Sequence, residues 1–212
     1  MLLGDARVVM ERQIEAGRHI VFIGHKGHPE VIGTFGQVPE GTITLVETLE
    51  EVAALDFVPD APLSYLTQTT LSVDDTAEIV AALRDRFPTI TGPKAEDICY
   101  ATSNRQAAVK TIAPQCQLVL VIGAPNSSNS LRLVEVAERC GAMAKLVQRG
   151  SDIEDGWFAG VTTMGLTAGA SAPETLVQEV IDRIGEFRSV EVEQVVTAEE
   201  KIVFKLPRQL AD

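Results

Sequence analysis

The sequence is short of positive charge. Against 30 Asp and Glu stand only 18 Lys and Arg, a formal net charge of −12 over 212 residues. Nucleic acid is therefore disfavoured as a partner, because phosphate backbones are gripped by a basic face. An anionic ligand would have to be held by neutral donors and helix ends, since no Arg/Lys cluster is present. No apolar run approaches the roughly eighteen residues of a membrane span, and the N-terminus lacks a signal peptide's apolar core. Cysteine is scarce too: three residues, an odd number without a CxxC pair, argue against a disulfide framework and fit a reducing cytoplasm. The H-E-x-x-H zinc pattern is absent, as is any sequence-level repeat. Hydrophobic content of 45% with 23% charged residues belongs to a globular chain, and the length allows one large core or two small ones.

What is present is organised around residues 119–140, VLVIGAPNSSNSLRLVEVAERC. Val119, Leu120, Val121 and Ile122 form a continuous apolar run the length of a strand buried on both faces, stopped by Gly123 and Pro125. From Leu131 onward, Leu133, Val134, Val136 and Ala137 follow helical spacing until Gly141. Between them lie Asn126, Ser127, Ser128, Asn129 and Ser130, small hydrogen-bonding residues without a charge. A polar turn between strand and helix places free backbone N–H groups and hydroxyls at a helix N-terminus, an anion-binding arrangement. A helix cap alone would need only one such residue.

The rest of the chain repeats this grammar. A helix is expected over residues 5–16 and a strand over 19–23, running into the glycine-punctuated loop GHKGHPE. A short helix or turn (31–36), a strand (42–46), a short helix (48–55) and a strand (63–66) follow. The turn TQTTLS comes next, its Ser72 forming a capping box with Asp75 for a helix over 73–87 that Pro88 ends. Residues 89–96, with Gly92 and Pro93, are the best lobe boundary. Beyond it come a helix (103–112), the central strand and helix, a strand (144–147) and a short turn with Ser151 and Glu154. A strand over 161–166 leads into TAGASAP, with Pro173 in the first turn of a helix to about residue 187. The alternating KIVFKL (201–206) reads as an exposed-edge strand packing back on an earlier part of the molecule.

Strands alternating with helices imply an α/β fold with parallel sheets and right-handed crossovers, ligands gathering at the strands' carboxyl ends. The loops around His28, Thr69, Ser127 and Ser171 all follow strands, so two α/β lobes are expected to face one another across a cleft. The division is a lobe over residues 1–95 with His28, Glu30 and Thr69, a lobe over 96–187 with Cys99, the NSSNS turn and Ser171, and a tail over 188–212.

HKGHPE could bind zinc through its two histidines, but no third ligand is evident. The better reading makes His28 an anion donor and Glu30 a proton donor, against a plain solvated loop. TQTTLS reads equally as a cap, and TAGASAP has the small residues that let backbone approach a ligand. Cys116 precedes a strand and Cys140 ends a helix, so both belong to the edge opposite the polar loops, as core residues. Cys99 lies in a polar stretch that can reach the cleft, as nucleophile or as iron ligand, and the residues alone leave the two open.

Five motifs in order, GHKGHPEVIGTFGQ, TQTTLSVDDT, DICYATSNRQ, NSSNS and TAGASAP, resemble the 4-hydroxy-3-methylbut-2-enyl diphosphate reductases, the LytB/IspH family. The resemblance covers nearly the whole chain from about His19. It implies two of the three α/β lobes of a trefoil built around a [4Fe-4S] cluster held by three cysteines. Cys99 matches the third cluster cysteine, His28 a diphosphate-contacting histidine and Glu30 the proton-delivering carboxylate. Thr69 matches the threonine that orders water near the substrate oxygen, and Ser127, Ser128, Asn129 and Ser171 match the diphosphate cradle. The implied substrate is an allylic diphosphate, reduced with loss of water using electrons from a donor such as ferredoxin or flavodoxin.

The family's first lobe, with two cluster cysteines and two more substrate histidines, has no counterpart in the sequence. A fragment, a misassigned start or half of a split enzyme is expected. The alternatives are a non-catalytic diphosphate-binding remnant or subunit needing a partner lobe, and thiol-based catalysis at Cys99, for which no base is placed.

Overall fold

Two short apolar strands seed the architecture, β1 (His19–Ile23) and β4 (Leu118–Ile122). The computed structural model describes residues 3–93 and 98–199. Each of the two strands is the middle member of a three-stranded parallel sheet. β2 (Ile43–Val46) and β3 (Leu63–Thr67) flank β1, while β5 (Met143–Val147) and β6 (Met164–Ala168) flank β4. A middle strand loses both edges to neighbours and both faces to helices, which is why these two carry unbroken apolar runs. In the registers Ile23 stands beside Val46 and Thr67, and Ile122 beside Val147 and Ala168. The strands of each sheet thus end level, and the loops that follow leave from one edge.

The helices are α1 (Leu3–Glu15), α2 (Pro29–Phe35), α3 (Leu49–Ala54), α4 (Val73–Arg86), α5 (Tyr100–Ile112), α6 (Ser128–Arg139) and α7 (Glu174–Phe187). Strand pleating sorts their contacts. From β1, Val21 and Ile23 pack with Leu83 and Phe87 around α4, whereas Ile20 and Phe22 face Met10 and Val31 of α1 and α2. From β4, Leu118, Leu120 and Ile122 meet Val180 and Ile184 of α7, and Val119 and Val121 meet Val109, Leu133 and Val136 of α5 and α6. The result is two α/β lobes with parallel sheets covered on both faces.

Local chemistry shifts several boundaries. α6 begins at Ser128, three residues before its first apolar position, because Ser127 caps it. Pro173 is the N-cap of α7 rather than a first-turn residue, its ψ of 145° still extended. Part of the stretch expected to mark the lobe boundary is bonded to the first sheet: Thr91 bridges to Ser64, with Thr91 N–H on the Leu63 carbonyl at 3.1 Å and Tyr65 N–H on the Thr91 carbonyl at 2.9 Å. The lobe boundary after residue 95 and the KIVFKL edge strand lie outside the described residues.

The lobes meet along a polar seam. Asp75 in the first turn of α4 accepts both arms of Arg139 from α6, at 2.6 and 3.0 Å, with Arg132 3.7 Å away. Lys110 of α5 meets Asp74 at 2.7 Å. The Arg139 hydrogen bonds, aided by Arg132 and Ser72, outweigh burial and hold the Asp75 carboxyl below its usual 3.8. A carboxyl whose folded value is lowered adds stability above the usual value and loses it as pH falls through the folded one. Urea unfolding should therefore show Asp75→Asn running parallel to the wild type at neutral pH and converging with it below pH 3.8. A constant gap down to the acid limit would show that Asp75 contributes through packing.

Candidate functional site

The site grows out of the sheet edge where β1 and β4 end. After β1 the chain turns through Gly27, whose φ of +81° is left-handed, and reaches His28, the N-cap of α2. His28 Nδ1 accepts the Glu30 backbone N–H at 3.1 Å. That bond leaves the ring proton on Nε2, which donates to Ser128 Oγ at 2.7 Å, on the other lobe and 100 residues along the chain.

Ser127 Oγ accepts the Ser130 N–H at 3.3 Å and the Ser130 hydroxyl at 3.0 Å. Capping thus occupies its lone pairs, while its own O–H proton is used by neither bond. Asn129 is only 6% exposed, yet neither Oδ1 nor Nδ2 of its side chain has a partner. A buried polar group left unmet costs about 1–3 kcal/mol, so this amide awaits something polar. A Cβ at Gly123 or at Gly169 would overlap Ser130 Oγ, so the loops after β4 and β6 close directly on the first turn of α6. Ser171 is exposed on the second of these loops.

On the other side of His28, Glu30 ties the two polar loops of the first lobe together. Its Oε1 accepts the Thr69 backbone N–H at 3.0 Å and its Oε2 the Thr69 hydroxyl at 2.9 Å. Both residues line a cavity of about 430 Å³ whose apolar wall includes Met10, Phe22 and Leu66. Cys99, the N-cap of α5, donates its backbone N–H to the Thr69 carbonyl at 3.2 Å and carries a free, half-buried thiol. Cys116 and Cys140 pack against the apolar cluster of Val119, Leu133 and Val136, and burial pushes the Cys116 thiol up.

Three side chains escaped the sequence reading. Gln68, fully buried, accepts the His25 N–H at 3.0 Å and donates to Thr70 Oγ1 at 2.9 Å, bracing one polar loop on the other. Arg132 lies one turn beyond Ser128 with 11% of its side chain exposed, donating to His25 Nε2 at 3.2 Å and paired with Asp75 and Glu135. A cation therefore stands one turn behind the polar start of α6, already matched by carboxylates. The third, Gln106, is buried on α5. Its signal was legible: Thr102, Gln106 and Val109 share one helical stripe, and a long amide on such a stripe needs partners.

A model of the family described as LytB protein matches residues 4–185. The chain belongs to the LytB family. Among LytB relatives, the 4-hydroxy-3-methylbut-2-enyl diphosphate reductase of Hyphomonas neptunium is 60% identical over 211 residues, covering 99% of this chain and 67% of the relative. The enzyme of the same name from Phenylobacterium zucineum is 54% identical over 210 residues, again 67% of its length. The solved structure of the E-1-hydroxy-2-methyl-but-2-enyl-4-diphosphate reductase from Plasmodium falciparum superposes with a TM-score of 0.92 at 33% identity, over 98% of this chain and 66% of that one. This LytB chain thus spans about two thirds of the length of oxidoreductases that share its fold.

Among the described residues no group of three or more His, Cys, Asp or Glu could hold a metal ion. Cys99, beside Thr69 and free, offers a single thiol with the chemistry of a metal thiolate ligand, and the described donor set goes no further. Among these residues, no helix is long and apolar enough to cross a membrane.

Proposed function

We propose that this chain is the substrate-holding part of a 4-hydroxy-3-methylbut-2-enyl diphosphate reductase of the cytoplasmic non-mevalonate isoprenoid pathway. The lobe over residues 1–95 brings His28, Glu30 and Thr69, and the lobe over 96–187 brings Cys99, Ser127, Ser128, Asn129 and Ser171. The tail over 188–212 follows. The observation that carries the reading is the buried, partnerless amide of Asn129 beside the His28–Ser128 bond that joins the lobes. Imidazole N–H, hydroxyls, amide and the N–H groups of the first α6 turn form a neutral cradle for a diphosphate, as a chain of net charge −12 requires.

With the diphosphate there, the allylic end reaches toward Glu30 and Thr69, which line the apolar cavity. A proton on Glu30 Oε2 has a path through the Thr69 hydroxyl, 2.9 Å away, to a leaving hydroxyl. Bound at Cys99 and at ligands from outside the described residues, a [4Fe-4S] cluster would supply electrons and a Lewis-acidic iron. Ferredoxin or flavodoxin would be the electron donor. Two electrons and two protons convert the allylic alcohol to isopentenyl or dimethylallyl diphosphate and water. The limited donor set also favours a second reading, a diphosphate-binding subunit that needs a partner lobe.

Calorimetric titration of the chain with the allylic diphosphate tests the cradle common to both readings. Saturable binding is expected, and Asn129→Ala should weaken it about tenfold, the cost of a buried group left unmet. A wild-type chain that binds neither this ligand nor inorganic diphosphate would return the NSSNS turn to a helix cap.

A further inference from the structure

α5 is clamped to the first lobe at two points on one face. At its start, the Cys99 N–H reaches the Thr69 carbonyl at 3.2 Å. Seven residues on, close to two helical turns, Gln106 crosses the seam. Its Oε1 accepts the Val73 N–H at 3.0 Å, and its Nε2 donates to the Leu71 carbonyl at 2.8 Å. Val73 is the first residue of α4, whose N–H has no partner within its own helix. Gln106 therefore caps α4 from the neighbouring lobe. It is 1% exposed and spends both ends of its amide on backbone groups two and four residues after Thr69. Thr69 in turn is fixed to Glu30 through its N–H and its hydroxyl.

The ion pairs that reach α4 across the seam are of a different kind, and the His28–Ser128 bond holds α2 to α6 without touching α5. Lys110–Asp74 and Arg139–Asp75 are exposed ion pairs on flexible side chains, which water and salt weaken. They can hold the lobes together without fixing α5 to within a fraction of an ångström along its axis. The planar amide of Gln106, out of water and bonded twice to backbone, can.

We propose that Gln106 is a positioning residue that sets the distance between Cys99 and the Glu30–Thr69 pair. This rests on the reading of those three residues as the reacting end of the cleft. Packing alone would be met by an apolar side chain of the same length, whereas positioning needs both hydrogen bonds.

The test uses the full chain as Gln106→Met, which keeps volume and loses both bonds, and Gln106→Glu, which keeps an acceptor for Val73 but turns a second oxygen toward the Leu71 carbonyl. Amide hydrogen exchange and the iodoacetamide alkylation rate of Cys99, referenced to Cys116 and Cys140, are read in each. In Gln106→Met, protection of the Val73 and Cys99 amides should fall about tenfold or more, with Cys99 alkylated faster and the β1 and β4 amides unchanged. Gln106→Glu should keep Val73 protected and lose protection at Cys99, and it decides the matter if Gln106→Met does not fold. Unchanged Cys99 protection in the folded variants, or a loss spread equally over β1 and β4, overturns the proposal. Diphosphate titration of the wild type stands apart from these signals: its failure sinks the reductase reading and leaves the exchange result intact.

Discussion

Glu30→Gln should lower turnover about 100-fold or more while leaving the fold and diphosphate affinity nearly unchanged. The geometry gives the reason. Glu30 accepts twice from Thr69, at 3.0 Å from the backbone N–H and 2.9 Å from the hydroxyl. Glutamine keeps its carbonyl oxygen for the N–H, and its NH₂ then donates to the Thr69 oxygen, so the two loops stay tied. What disappears is a titratable oxygen able to pass a proton through that hydroxyl. The proposed diphosphate cradle is built from other residues, so KM should move little beside kcat. The measurement is steady-state kinetics of the complete, cluster-loaded enzyme, in which a further lobe supplies the remaining cluster ligands, carrying this substitution, with unfolding curves as the control for stability. Wild-type turnover in Glu30→Gln would mean that protons arrive by another route and that the Glu30–Thr69 pair only fastens two loops.

The fold was largely legible because buried parallel strands advertise themselves. IVFI (20–23) and LVLVI (118–122) are unbroken apolar runs, and both proved to lie in middle strands. Strand order was not legible, because crossovers of similar length can place a new strand on either side of the first. The candidate site was legible residue by residue, as small polar side chains after strands, but not as an assembly. The 2.7 Å bond between His28 and Ser128 depends on how two lobes dock, and docking is written in single, scattered side chains. Asp75 read as part of a capping box, yet it also holds Arg139 of the other lobe. Gln68 read as one letter of a polar turn, and its fully buried amide instead braces the loop of His25 and His28. Local pattern exposes what each segment does alone. A residue whose partner lies on another lobe shows only as a polar group in an apolar place.

The 212-residue chain alone should fail to hold a four-iron cluster and should not reduce the allylic diphosphate. Too few ligands lie within reach of one another. Of three cysteines, Cys99 alone stands at the edge where the polar loops meet, its backbone bonded to Thr69. Cys116 precedes β4, and the strand's length separates it from the carboxyl edge by on the order of 20 Å, given roughly 3.3 Å per residue. Its thiol is also pushed up by burial, which reduces the thiolate that iron needs. Cys140 is the C-cap of α6, at the far end of the helix whose first turn carries Ser128, Asn129 and Ser130. One thiolate does not substitute for three, and water and oxygen reach a cluster held by so few ligands. Anaerobic reconstitution followed by iron counting and absorption spectra should give far fewer than four irons per chain, with no change on adding substrate. Cys99→Ser should remove whatever specific iron remains. A substrate-responsive signal at close to four irons per chain would overturn the count, by showing either that Cys116 or Cys140 moves to the cleft or that two chains share one cluster through their Cys99 thiolates and ligands outside the described residues.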